Sequence, residues 1–155
     1  MKGGFVPKFK VSDIVREVET KKKRIDDAIY LRLRRIGLQF VRDARINADF
    51  TDRTGNLRSS IGFVIAYNGD IRHTDFDKAP KGDSDKEEGV RNARQFAEDI
   101  AGDYSKGWVL IVVAGMEYAA AVESRGKDVI TGSSIKAGSS LKKTVKELEA
   151  KINGK

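Results

Sequence analysis

His73, Asp75 and Asp77 stand at alternate positions. In an extended strand alternate side chains share a face, so these three could converge on a divalent metal. The competing use of the same residues is ordinary: charges on an edge strand blunt it against pairing with another chain. The expectation is the edge strand, with no metal site. The acids Asp83, Asp85, Glu87 and Glu88 look like a calcium loop only at first sight. Counted from Asp83, the sixth and twelfth positions hold Glu88 and Arg94, where an EF-hand needs glycine and glutamate.

Nucleophile patterns are equally thin. Ser133 and Lys136 fit S-x-x-K, but so do Ser139 with Lys142 and Ser140 with Lys143, and the companion S-D-N and K-T-G elements are absent. There is no G-x-x-x-x-G-K-[ST] loop and no G-x-G-x-x-G to cradle a phosphate. A Ser-His-Asp triad would have to use His73, and no serine sits in a G-x-S-x-G elbow. The chain is expected not to be an enzyme, with no catalytic residue and no cofactor. Glu123 is the acid that most needs a partner, because it falls near the end of a short expected helix whose carbonyls disfavour a carboxylate. It should bond backbone amides, an arginine such as Arg125 or Arg58, or a group on a neighbouring subunit.

The elements that position these residues follow from periodicity. Ser12 is the expected N-cap of a long helix, with Asp13 in its first turn. Its apolar stripe runs through Ile14, Val18, Ile25, Ile29, Leu33, Ile36, Phe40 and Ala44, and the helix should end near Asp49 or Phe50. Arg24, Arg35 and Arg42 share another face, beside Leu31 and Leu38, which hints at a second contact. A turn at Thr54-Gly55-Asn56 leads into a strand from Ile61 to Tyr67, and Asn68-Gly69 is a strong hairpin signal, returning along Asp70 to about Phe76. Asp77 to Asp85 reads as a loop. Asp85 with Glu88 fits a capping box for a helix from about Lys86 to Ala101, with Val90, Ala93, Phe96, Ala97, Ile100 and Tyr104 at helical steps.

Trp108 to Ala114 is uncharged and the most apolar segment, so it is expected mid-sheet, buried on both faces, contributing on the order of 10 kcal/mol gross. Ala119 to Ala121 begins a short helix closed by Gly126. Thr131 to Ser134 reads as loop, before a final helix marked by Leu141, Val145, Leu148 and Ile152. The fold class is therefore α+β: a long N-terminal helix, a small antiparallel sheet with a β-hairpin and a hydrophobic central strand, and further helices packed on the sheet. Residues 1–10, with Gly3, Gly4 and Pro7, should be a flexible arm, and 11–155 a single domain.

Composition narrows the function classes. The chain of 155 residues has no cysteine, which removes disulfides, zinc ribbons and thiol nucleophiles and fits a reducing cytoplasm. The first residues lack the apolar core of a secretory signal, and no apolar run is long enough to span a bilayer, so no membrane is expected as a partner. The net charge of +7 is segregated. Residues 1–60 carry 15 Lys/Arg against 8 Asp/Glu, residues 61–105 carry 6 against 10, and residues 106–155 carry 9 against 5. Basic ends and an acidic middle suit nucleic acid or a neighbouring copy of the same chain.

Two stretches carry a family resemblance. Thr54-Gly55-Asn56-Leu57-Arg58-Ser59-Ser60-Ile61 follows a long amphipathic helix, and Gly-Met-x-Tyr-Ala-x-x-Val-Glu-x-x-Gly at Gly115 to Gly126 follows a hydrophobic strand. Together they resemble the minor tail components of long-tailed bacteriophages and prophages, the tail-completion or head-to-tail joining proteins. The matching positions are Thr54, Gly55, Leu57 and Ser60, then Tyr118, Ala119, Val122, Glu123 and Gly126. Two departures stand out: the acidic insertion between about Phe76 and Gly107, and Ser124 to Lys127 where many members have a shorter aromatic-Gly-Thr ending.

The resemblance implies assembly without catalysis: a ring, commonly hexameric, in the neck of the virion between tail tube and capsid connector. Such a ring is put together in the bacterial cytoplasm and lets the genome pass without base-specific contact. Its implied partners are other copies of itself, the tail-tube protein and the connector. Subunit-contact candidates are Thr54, Gly55, Leu57, Arg58, Tyr118, Val122, Glu123, Arg125 and Gly126, with Glu87 and Glu88 of the acidic segment. That segment, Asp77 to Asp103, is expected to face a basic patch of the neighbour, on the first helix or near Lys142 and Lys143. The alternative is a basic nucleic-acid-binding module using Lys21, Lys22, Lys23, Arg24, Arg35 and Arg42 as a phosphate-contacting face.

Overall fold

A computed structural model describes residues 8, 10–47, 55–77, 87–115, 119, 123–126 and 128–154. The elements are α1 (Val11–Ile46), α2 (Asn56–Ser59), β1 (Ile61–Tyr67), β2 (Asp70–Asp75), α3 (Glu87–Gly102), β3 (Trp108–Ala114) and α4 (Thr131–Ile152). The three strands form one antiparallel sheet in the order β2-β1-β3. The expected α+β architecture is what the chain adopts. The arm over 1–10, apart from Lys8 and Lys10, lies outside the described residues, as do Asp49, Phe50, the 78–86 segment with Asp85, and residues 116–118 and 120–122, where the short helix of Ala119 to Ala121 is expected.

β1 is the central strand, which corrects the expectation for β3. Ile61 to Ala66 are all buried on β1, whereas on β3 only Ile111 and Val113 are. Apolarity alone could not rank them, because helices cover both faces of both strands. Gly62 makes β1 look weaker in sequence, yet its missing side chain leaves the space that the Phe76 ring occupies. The hairpin forms as its sequence demands: Asn68 and Gly69 have φ of 53° and 85°, the paired positive values of a type I′ turn. Asn68 also accepts a hydrogen bond through Oδ1 from the Gly107 amide at 2.7 Å, which fastens the turn to the entry of β3.

The two faces of the sheet are covered differently. Ile61, Phe63 and Ile65 of β1 pack with Leu33, Phe40, Val41 and Ala44 of α1, with Leu57 and Val129, and with Ala137 and Leu141 of α4 at the margin. On the other face, Val64 and Ala66 pack with Ile111 and Val113 and with Ala93, Ala97 and Ala101 of α3. The buried residues of α3 are Gly89, Ala93, Ala97 and Ala101, one every four residues, so this helix lies close to the strands. Phe96 and Tyr104, expected on its inner stripe, are about half exposed instead; the near approach leaves no room for a ring.

α1 is 36 residues long, about 54 Å at 1.5 Å per residue. It begins at Val11 after Lys10, so Ser12 is inside the helix and does not cap it. Every residue from Val11 to Ile25 is exposed. The expected core stripe therefore takes hold only from Ile29 onward, and Ile14, Val18 and Ile25 continue it past the body of the domain. The departure point is marked by Asp26, whose carboxylate accepts a hydrogen bond from Trp108 Nε1 at 3.1 Å. At the other end, Arg45 donates to the carbonyls of Ile61 (2.9 Å) and Asp77 (2.6 Å). Burial lowers the pKa of its guanidinium, opposed by Asp77 and Asp75; arginine stays charged regardless.

Candidate assembly surfaces

The first of the two segments that carry the resemblance meets the opening residue of the second, Gly115, at one end of the sheet. β1 and β3 pair so that Ile61 lies opposite Ala114, and the ladder continues with the Gly115 amide donating to the Ser60 carbonyl at 3.2 Å. Gly55 opens α2 with φ of 80°, and the next residues are drawn inward: Leu57 is 1 % exposed, and Ser59 and Ser60 are fully buried. The first turn of α3 closes over this corner. A side chain on Gly89 would meet the Asn56 carbonyl, and one on Gly115 would meet the backbone of Ala93. Of the contact candidates here, Leu57 fills the core and Arg58 is half-buried; Thr54, Tyr118 and Val122 lie outside the described residues.

Glu123 finds its partners within the chain. Its Oε1 accepts from the amides of Val129 (3.3 Å), Ile130 (3.0 Å) and Thr131 (3.1 Å) and from Thr131 Oγ1 (3.0 Å). These donors include the free amides at the start of α4, so the carboxylate caps that helix from eight residues upstream. The bonds from the backbone, Ile130 foremost, hold its pKa below the usual carboxylate range, against the opposing effect of burial. Asp128 adds a bond to the Gly132 amide at 3.1 Å. Thr131 to Ser134 is thus the first turn of α4 and not a loop; a cap so remote in sequence leaves no local signal. Arg125 and Gly126 remain exposed on the turn that follows Glu123, and Glu87 and Glu88 are exposed at the start of α3.

The alternating triplet of β2 separates. His73 and Asp75 stay on the α1 face, with His73 Nε2 and Asp75 Oδ2 4.0 Å apart, while Asp77 lies past the strand and offers its carbonyl to Arg45. The His73 ring packs against Phe63 and Tyr30, with centroids 5.6 and 6.2 Å away. Among the described residues, no group of three or more His, Asp and Glu side chains could hold a metal. Ser133 is buried one turn from Lys136 on α4, within a polar groove.

That groove, about 590 Å³ between α1 and α4, is lined by Arg32, Arg35, Lys136 and Lys143, with Asp43 and Glu147 as its acids. Arg35 and Gln39 also line a shallower one on the outer side of α1, with Leu31, Arg34, Leu38 and Arg42. Arg35 and Gln39 line both, so cations run round the exposed side of α1 from one groove to the other. Leu31 is 61 % exposed within it. α3, across the sheet, carries the opposite sign. Its flank beside Phe96 presents Glu88, Asn92 and Asp99, with Asp103 in the turn just past the helix and no cation among the described residues of that flank, while Arg91 and Arg94 lie on the other flank with Glu87 and Glu98. Sequence reading located the arginines and leucines of α1; it missed the isolation of Phe96 among acids, which only the close seating of α3 creates.

Among the described residues no helix is long and apolar enough to cross a membrane. In comparisons with known proteins, the chain matches no family model, no curated protein and no solved structure.

Proposed function

We propose that this protein is a structural component of a long-tailed phage or prophage particle: a tail-completion or head-to-tail joining protein that forms a ring at the junction of tail and connector. The observation that carries the reading is the meeting of the Gly55–Ser60 turn with the segment opening at Gly115, joined by the Gly115 to Ser60 hydrogen bond. The first stretch and the opening residue of the second thus share one structural corner. Charge of opposite sign on opposite sides of the sheet supports the same reading, because a ring contact joins two different patches of one protein. In this role the protein performs no catalysis, resides in the virion neck and contacts the genome only as a passage.

Electron microscopy of the concentrated protein tests the reading, with closed rings as the expected result. Particles without rings at any concentration, together with neighbouring reading frames unrelated to capsid, connector or tail tube, would overturn it. A second reading, a nucleic-acid-binding module, draws on the cations around the α1–α4 groove. It predicts DNA affinity falling steeply with salt, and loss of that dependence when Lys136 and Lys143 are neutralised.

A further inference from the structure

We infer that copies of this chain add to one another head to tail, the acidic flank of α3 on one copy seating against the outer face of α1 on the next. The inference rests on the ring-forming reading above and names the two surfaces that would make the ring. On α1 the surface is Leu31 and Leu38, 61 % and 43 % exposed, set among Arg34, Arg35 and Arg42. On α3 it is Phe96, 54 % exposed, with Asp99 one turn on and Glu88 two turns back on the same flank, and Asp103 and the half-exposed Tyr104 just past the helix.

Each surface has the make-up of a small interface: apolar side chains at the centre and charges of one sign around them. The signs are opposite, and arginine is the cation suited to gripping carboxylates through paired hydrogen bonds. Arg91 and Arg94 lie on the far flank of α3, so they do not cancel the acids. The acids on α1's own outer side are few; Asp43 sits 3.9 Å from Arg42 and accepts from Gln39 at 2.7 Å, as Asp99 on α3 accepts from Gln95 at 2.8 Å.

The geometry also fixes the kind of assembly. α1 and α3 cover opposite faces of the sheet, so two copies related by a two-fold axis cannot make both contacts to each other. Each added copy presents a fresh acidic flank or a fresh basic face, and growth ends only when the ring closes.

The absence of cysteine gives a background-free test. The variants L38C and F96C, and the double variant carrying both, are oxidised at high protein concentration and run without reductant. The expected result is a ladder of dimers, trimers and larger species from the double variant. A mixture of the two single variants should stop at the dimer, and neither alone should cross-link. Raising salt from about 0.1 M to about 1 M shortens the screening length from about 10 Å to about 3 Å and should thin the ladder. Charge reversal supplies the second arm. D99R/D103R and R35E/R42E should each fail to assemble alone and should assemble when mixed.

Cross-linking of L38C with itself would replace the head-to-tail contact by a two-fold one and overturn the inference. Rings in the microscope without any cross-link would overturn the pairing of these faces while leaving the ring-forming reading intact. Absence of both rings and cross-links would overturn both.

Discussion

The two sides of the sheet are packed on opposite plans. Toward α1 the interior is filled with large side chains, Leu33, Phe40, Phe63 and Ile65, all buried; toward α3 the fully buried residues of the helix are glycine and alanine, with Val90 and Ile100 at the margin. Large side chains hold a helix away from the sheet and fill the gap by volume, while a stripe of small ones lets backbone lie near backbone. The difference decides what is left on the outside. α3 turns its one aromatic outward, and α1, with its apolar bulk directed inward over half its length, keeps two leucines and a row of arginines for the exterior.

Removing volume should damage the α1 side most. Phe40→Ala, at 1 % exposure, is expected to cost about 3–5 kcal/mol in denaturant unfolding, the range for emptied aromatic sites. On the α3 side the damaging change is the reverse. Ala97→Val, at a fully buried position, adds volume where there is none to spare and should cost about 1–3 kcal/mol. If Ala97→Val were harmless, the close seating of α3 would be wrong.

Glu123→Gln should cost about 1 kcal/mol, as for loss of a helix cap, and its pH dependence sharpens the point. The folded pKa of Glu123 is depressed, so its contribution is complete above the ordinary carboxylate pKa of about 4.3 and disappears as pH falls through the folded value. The difference between wild type and variant should therefore be level from neutral pH down to about 5 and then shrink. The smallest expected change is Phe96→Ser, within about 0.5 kcal/mol as for an exposed site. A large loss there would mean that the ring is packed inside the chain.

Much of the fold was legible from local chemistry. Asn68-Gly69 dictates its hairpin, β1 runs from Ile61 to Tyr67 as its residues suggest, and α3 covers Glu87–Gly102 where a helix from about Lys86 to Ala101 is expected. What could not be read depended on distant partners. β1 is central because β2 and β3 both bond to it, a property that the apolarity of β3 does not encode. α4 begins at Thr131 because Glu123 reaches its amides across an intervening turn. Of the candidate surfaces, the arginine and leucine face of α1 was visible in helical spacing. The acidic face of α3 was visible only as a charge excess, since the orientation of Phe96 is settled by the glycine and alanine beneath it.

The unsheathed first half of α1 has a further consequence. A helix of about 15 residues is marginal in water by itself, because its first turn is costly to form. Here the anchored half supplies that first turn ready made, and the exposed pair Glu17 to Lys21 at 2.8 Å adds little to it. The rod should therefore fray from its tip toward the Asp26–Trp108 latch, with amide exchange slowing step by step along it. Whatever grips the Val11, Ile14, Val15 and Val18 end would stiffen a lever whose fulcrum is the single tryptophan of the chain.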